Sequence, residues 1–309
     1  MTSTLTELKG RRDRYLELTR RTLPLQALLP HQQPPDGDDW EGWLIQAGRG
    51  TGKTAAIAAY ITDHVNGPPC IPGLMPHKMA LIAPTIGDAV ESAARHPICL
   101  KTLSPDGRLQ SKAGGTIFTW RNGAEIKLFG VHTREDVERL RAGGNNCRVW
   151  AEEIAAWRYL EDGWDQMQFG LRIGPRPCWV GSSTPKRRRK FVEITEEPNI
   201  RITRAHTDDN PHLDSSFRER LRRMYGGTSK GRQELGGELL EVVEGALWTP
   251  AMIDRDRLSE AGVMARIVVG VDPQGSEGTG MTGIVAAGIS KGICPVSYTH
   301  LTLPTILLV

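Results

Sequence analysis

A glycine-rich segment between Ala47 and Thr54 constrains this chain most. It follows the apolar run Trp43 to Ile45 and precedes the helix-forming stretch Ala55 to Ile61, so the order is strand, loop, helix. Glycines let backbone N–H groups turn inward around a polyphosphate, a lysine reaches its terminal oxygens, and a threonine hydroxyl can bind Mg²⁺. We therefore predict a nucleoside triphosphate site. Its residues are Ala47, Gly48, Arg49, Gly50, Thr51, Gly52, Lys53 and Thr54.

Composition favours a globular protein with room for two domains. The chain has 309 residues, of which 39% are hydrophobic and 24% charged. No apolar run approaches the roughly 20 residues of a membrane helix, and the stretch up to Thr22 lacks a signal-peptide core. We expect a cytoplasmic protein without a membrane partner.

The cysteines and histidines show no metal-ligand spacing. Five cysteines occur without a C-x-x-C pair, which argues against a disulfide framework and against a zinc site. We expect the cysteines to be buried small hydrophobic residues, and we assign the eight histidines no role.

Apolar strand candidates alternate with helical patterns, which predicts a mainly parallel sheet wound with helices, an α/β fold. An Asn-Gly pair at 122–123 separates two alternating runs and predicts a β-hairpin insertion. The candidate strands of the sheet are Trp43 to Ala47, Met79 to Ala83, Cys147 to Ala151, Cys178 to Gly181 and Ile200 to Ala205.

Two adjacent carboxylates, Glu152 and Glu153, follow the strand that begins at Cys147. Beside a triphosphate, such a pair orders Mg²⁺ and polarises the attacking water. We predict that Glu152 holds Mg²⁺ through water and that Glu153 orients the nucleophile. A solvated acidic pair is the alternative, which the phosphate-binding loop disfavours.

Hydroxyls and arginines complete the predicted site. Ser183 and Thr184 follow the next strand, where they can contact the γ-phosphate or the attacking water and couple hydrolysis to motion. Arg49 in the loop, and Arg139 and Arg141 before the acidic strand, are candidates for stabilising transition-state charge, the last two on a neighbour's nucleotide. For Arg139 and Arg141 a solvated helix face is the alternative.

These ordered segments resemble the large terminase subunit of tailed bacteriophages and of prophage or gene-transfer-agent DNA packaging systems, from about His31 to about Gly292. The matching segments are Gln32 to Pro35, Ala47 to Thr54, Leu81 to Thr85, Trp120 to Ala124, Arg139 to Gly143, Trp150 to Glu153, Ser183 to Pro185, Arg232 to Leu235 and Gly245 to Trp248.

The resemblance implies a P-loop NTPase of the additional-strand catalytic glutamate (ASCE) type, followed by an RNase H-like nuclease. We predict an N-terminal helical segment on the adenine side at 1–40, the ATPase domain at 41–207, a helical linker subdomain at 208–262 and the incomplete start of the nuclease domain at 263–293.

In the nuclease, the resemblance implies carboxylates that hold two divalent metals. Asp272 matches the first of them, and the later metal-binding aspartates are absent after Gly292, so we expect no nuclease activity. Residues 294–309 resemble translated sequencing adaptor, and we expect them not to be native.

The implied function is ATP hydrolysis with Mg²⁺ to move double-stranded DNA into a procapsid. The implied partners are DNA, a portal, a small terminase subunit and further copies in a ring. The basic run from Lys186 to Lys190 can contact DNA phosphates, or it can be a solvated helix face. Another DNA-dependent ATPase such as a helicase, or a non-catalytic DNA-binding assembly subunit, is the alternative.

Overall fold

The apolar segment before the glycine-rich loop forms β1 (Gly42–Ala47), a strand with all six residues buried. Its side chains alternate between the two faces of a sheet, because successive residues of a strand point in opposite directions. Trp43 and Ile45 join one hydrophobic cluster and Leu44 joins the other. The sheet is therefore covered on both sides, as parallel sheets require.

The computed structural model describes residues 28–73, 75–239, 252, 255–258, 263–272, 282–289 and 294–301. The chain divides into two units, Met1–Val243 and Glu244–Val309. The further strands of the first unit are β2 (Lys78–Ala83), β3 (Arg108–Lys112), β4 (Gly115–Thr119), β5 (Glu125–Gly130), β6 (Arg148–Ala151), β7 (Cys178–Ser183) and β8 (Ile200–Ala205).

The helices of the first unit connect these strands across both faces. They are α1 (Lys53–Asn66), α2 (Ile86–Val90), α3 (Leu100–Leu103), α4 (Arg134–Ala142), α5 (Leu160–Gly170), α6 (Arg189–Glu196), α7 (Ser215–Tyr225) and α8 (Ser229–Glu234). None of the helices in the described part of the chain has the length and apolarity needed to cross a bilayer.

One eight-stranded sheet has the order β3-β4-β5-β2-β6-β7-β1-β8. The strands from β5 to β8 in this order are parallel, whereas β3, β4 and β5 pair antiparallel. The predicted α/β class, the five strand positions and the hairpin around Asn122 are confirmed. Strand β3 was not predicted, and it lengthens the hairpin to a three-stranded antiparallel edge.

The helical segment after β8 belongs to the first unit rather than to a separate linker. Thr207 N donates to Leu235 O at 2.8 Å, and Gln46 Nε2 donates to Gly237 O at 3.0 Å. Leu235 is buried. The chain from 207 to 239 thus folds back onto the end of β1, and the division between units falls after Val243 instead of at the expected 207.

The second unit contains three antiparallel strands in the order β11-β10-β9. They are β9 (Arg266–Asp272), β10 (Thr282–Ile289) and β11 (Val296–Leu301). The predicted strand ending at Asp272 and its apolar partner are confirmed. Strand β11 falls in the segment expected to be non-native, and it pairs with β10 from Thr282↔Leu301 to Ala287↔Val296.

Candidate nucleotide-binding and catalytic site

The loop between β1 and α1 has the conformation that its glycines allow. Gly50 and Gly52 have φ values of +77° and +84°, which L side chains rarely adopt. A Cβ on Gly48 would lie 2.1 Å from Leu235 O, so this position has no room for a side chain. Thr51 Oγ1 donates to Gly48 O at 2.9 Å and closes the loop on itself.

Two flanking segments fix the outer side of the loop. His31 Nε2 lies 2.9 Å from Thr51 O, and Gln32 Nε2 donates to the same carbonyl at 2.8 Å. On the other flank, Asn210 Nδ2 donates to Gly50 O at 2.7 Å. Loop carbonyls held from outside leave the N–H groups free to turn inward, which is the arrangement that binds a polyphosphate.

Lys53 and Thr54 begin α1 at the base of the loop. The Lys53 side chain is buried, and its Nζ donates to Ala47 O at 3.0 Å and to Gly48 O at 3.1 Å. Thr54 Oγ1 donates to Glu152 Oε1 at 2.8 Å. A hydroxyl and a carboxylate in contact at a loop of this kind are oxygen ligands of the type that Mg²⁺ prefers, so these residues fit the ion.

Glu152 is buried at the end of β6, and both of its carboxylate oxygens accept hydrogen bonds. Its Oε2 accepts from Trp150 Nε1 at 2.7 Å, and its backbone carbonyl accepts from Trp157 Nε1 at 2.8 Å. Burial raises the pKa of Glu152 above its usual range, the neighbouring Glu153 adds to this, and hydrogen bonds from Thr54, Trp150 and Ser182 oppose it. A cation beside this carboxylate would favour its charged form.

Glu153 links the loop to the hydroxyl segment after β7. Its Oε1 lies 3.8 Å from Lys53 Nζ, and its Oε2 accepts from Thr184 N at 2.9 Å. Ser182 Oγ accepts from Glu153 N at 3.2 Å, and Ser183 Oγ accepts from Ala155 N at 3.0 Å. The carboxylate is therefore held between the lysine and the predicted coupling residues.

Arg49 extends from the loop toward the helical segment after β8. Its Nε donates to Glu234 Oε2 at 2.5 Å, while 70% of its side chain is exposed. The hydrogen bond to Glu234 is the main reason that the pKa of Arg49 is raised, and the charge of Glu153 contributes. Arg49 thus lies within the electrostatic range of the Glu153 carboxylate.

Arg139 and Arg141 lie elsewhere, on the exposed side of α4. Arg139 pairs with Asp136 at 3.6 Å and Arg141 with Glu138 at 3.9 Å, and about three quarters of each arginine side chain is exposed. Helix α4 leads toward the beginning of β6, away from the strand end that carries the acidic pair. The structure does not bring these arginines to the loop of their own chain.

The remaining predicted site residue, Asp272, ends β9 in the second unit, and its side chain lies outside the described residues. Sequence reasoning missed the roles of His31, Gln32, Asn210 and Glu234 at the loop. Their only signal is a polar residue near a turn, because each reaches the loop through tertiary contacts.

The central parallel sheet, the strand-loop-helix and the acidic pair define a P-loop-type nucleotide-binding fold. A family model described as terminase large subunit, T4likevirus-type, N-terminal matches residues 44–255. The chain therefore belongs to the terminase large subunit family.

A solved structure shows the same fold. It is the large terminase of a thermophilic bacteriophage in complex with ADP, 16% identical with a TM-score of 0.53, over 89% of this chain and 68% of that chain. The ATPase domain of the Thermus phage P74-26 large terminase is 18% identical with a TM-score of 0.47, over 69% of this chain and 100% of that chain. A comparison with curated proteins gives no match.

Proposed function

We propose that this chain hydrolyses ATP at the loop between β1 and α1 and uses the energy to move double-stranded DNA into a viral procapsid. One contact set carries the proposal: Glu153 lies 3.8 Å from Lys53 Nζ and accepts a hydrogen bond from Thr184 N at 2.9 Å. The same carboxylate can thus serve hydrolysis and report it to the segment that follows β7.

Each side chain has a role that follows from its position. Lys53, which now donates to Ala47 O and Gly48 O, turns to the terminal phosphate oxygens when nucleotide enters. Thr54 and Glu152 would hold Mg²⁺, which when bound neutralises phosphate charge and fixes the phosphates. Glu153 accepts a proton from the attacking water or orients that water.

Arg49 is the arginine that we propose to stabilise the transition state in its own chain. Its guanidinium is exposed, is held by Glu234, and lies within the electrostatic range of Glu153. Arg141 is exposed in a position to serve a neighbouring copy, as expected for a ring on a portal. DNA, the portal and the small subunit are proposed partners.

ATP turnover with and without double-stranded DNA tests the proposal. Glu153→Gln keeps the size of the side chain and an acceptor for Thr184 N, but it removes the base, so we expect turnover to fall by about 10²–10⁴-fold. Binding of a fluorescent ADP analogue should persist in Glu153→Gln and be lost in Lys53→Ala.

Glu196→Gln is the matched control, since Glu196 is exposed at the end of α6 and far along the chain from the loop. It should turn over ATP like the unchanged protein. Full turnover by Glu153→Gln, or turnover that DNA leaves unchanged at every ionic strength, would contradict a DNA-moving ATPase.

A further inference from the structure

Four potential metal ligands converge in the first unit, away from the nucleotide loop. They are His64, Cys70, His77 and Cys147, and one ligand atom of each lies within 4.8 Å of every other. The set has two thiols and two imidazoles. No sequence pattern marks it, because the spacing lacks a C-x-x-C pair and the fourth ligand comes from a distant strand.

The sheet topology explains the convergence. Strands β2 and β6 are parallel neighbours, with Met79 opposite Arg148, so the residues before them lie side by side. Cys147 N donates to Lys78 O at 2.8 Å. Helix α1 starts at the loop and runs back along the sheet, so its last turn brings His64 to the same edge, about 20 Å from its start.

The distances match those of a tetrahedral zinc site. Cys70 Sγ lies 3.7 Å and Cys147 Sγ 3.6 Å from His64 Nε2. Zn–S bonds of about 2.3 Å and Zn–N bonds of about 2.0–2.1 Å at a tetrahedral angle place sulfur and nitrogen about 3.6 Å apart. A neutral imidazole has one acceptor nitrogen, so His64 cannot accept fully from both thiols, whereas a cation can bind all three atoms.

His77 provides a second, independent observation. Its side chain is 0% exposed, and neither ring nitrogen has a hydrogen-bond partner of acceptable geometry. Its ring centroid lies 4.5 Å from that of His64. Leaving buried polar atoms unpaired is costly, so an imidazole is retained at such a position when it has a ligand to bind.

The electrostatic surroundings suit a thiolate–imidazole site. Burial, with Arg148 and His77, lowers the pKa of His64 to about 3, so its ring is neutral, as a metal ligand must be. Arg148 faces the cluster from β6, donating to Cys147 O at 2.7 Å and to the Tyr60 hydroxyl at 3.3 Å. Its positive charge favours thiolates over thiols.

We propose that His64, Cys70, His77 and Cys147 bind one Zn²⁺ ion in a closed structural site. Four protein ligands leave no open position for water or substrate, which is the pattern of structural rather than catalytic zinc. The ion ties the end of α1 to the loop before β2 and to the start of β6. It thereby fixes, from the opposite edge, the helix that carries Lys53 and the strand that leads to Glu152.

Metal analysis of the full chain, purified without chelator, tests the site. We expect about one zinc per chain by mass spectrometry of the metal, and replacement by Co²⁺ should give the visible absorption of tetrahedral cobalt with thiolate ligands. Cys70→Ser should lose the zinc and the cobalt absorption. Cys70 lies on a partly exposed loop, so its substitution disturbs the core little.

Cys99→Ser is the matched control, since Cys99 is buried and contacts Thr102 Oγ1 at 3.3 Å, outside the cluster. It should retain zinc. Removal of zinc by a strong chelator should lower the melting temperature of the unchanged protein, but not that of Cys70→Ser.

Two results would overturn the proposal. One is a folded chain with background zinc that gives no thiolate–cobalt absorption when Co²⁺ is added. The other is an intact mass two hydrogens lower, with Cys70 and Cys147 joined in a disulfide.

Discussion

Glu153 has the least common backbone conformation among the site residues. Its φ of 48° and ψ of 53° are left-handed, which costs a non-glycine residue on the order of 1–2 kcal/mol. The conformation is held because Ser182 Oγ accepts from Glu153 N and the carboxylate accepts from Thr184 N. The cost turns the carboxylate toward Lys53, so the strained residue is also the one proposed to orient water.

Gln32 supports the loop without a catalytic role. Gln32→Ala removes the hydrogen bond to Thr51 O, worth about 0.5–1.5 kcal/mol, and loosens the loop before nucleotide arrives. We expect the dissociation constant of an ADP analogue to rise by about 2–12-fold. Gln33→Ala is the control, because Gln33 is exposed and bonds Leu28 O. Equal affinities of the two variants would show that the contact does not order the loop.

At the scale of elements, local sequence predicts the strands that are buried on both faces. Trp43 to Ile45 and Leu81 to Ala83 form continuous apolar runs, and only a covered parallel strand accommodates such a run. Strand β3 was missed because its residues Arg108 to Lys112 lack apolar alternation. It pairs on one side only, and charged side chains are typical of such an edge.

The turn between β4 and β5 gives a test of the hairpin. Gly123 has a φ of 89°, so Gly123→Ala forces a side chain into a left-handed conformation that costs roughly 1–2 kcal/mol. We expect the melting temperature to fall by roughly 2–8 °C. Gly114→Ala, in the turn before β4, is the control, because a Cβ there meets nothing within 4 Å. Should both variants melt alike, the turn conformation at Gly123 would not be the stabilising feature.

At the scale of the molecule, the two edges of one parallel sheet carry different chemistry. Glu152, Glu153 and Ser183 follow the strands at one edge, and their positions could be predicted because each comes directly after an apolar run. Cys147 precedes β6 at the other edge, beside a histidine from the end of α1. No local pattern marks that cluster, since only the winding of the chain brings its residues together.

The basic run after β7 is divided by the fold. Arg188 donates to Trp157 O and pairs with Glu161 at 3.6 Å. Arg189 and Lys190 both pair with Glu193. Lys186 and Arg187 are exposed and form no ion pair within the part of the chain that the structure describes. They follow Thr184 by two and three residues, so they are the charges best placed to meet DNA when the coupling segment moves.

Double-stranded DNA should therefore stimulate ATP turnover through Lys186 and Arg187. Each phosphate contact contributes about 0.9 to the slope of log affinity against log salt, so replacing both residues by alanine should reduce the slope by about 1.8 and weaken stimulation. Turnover without DNA should not change. Replacing Arg108 and Lys112 by alanine removes the same charge from exposed positions on β3 and should leave the slope intact. Equal slopes for the two double variants would mean that DNA senses only the net charge, and that the segment after Thr184 is not its contact.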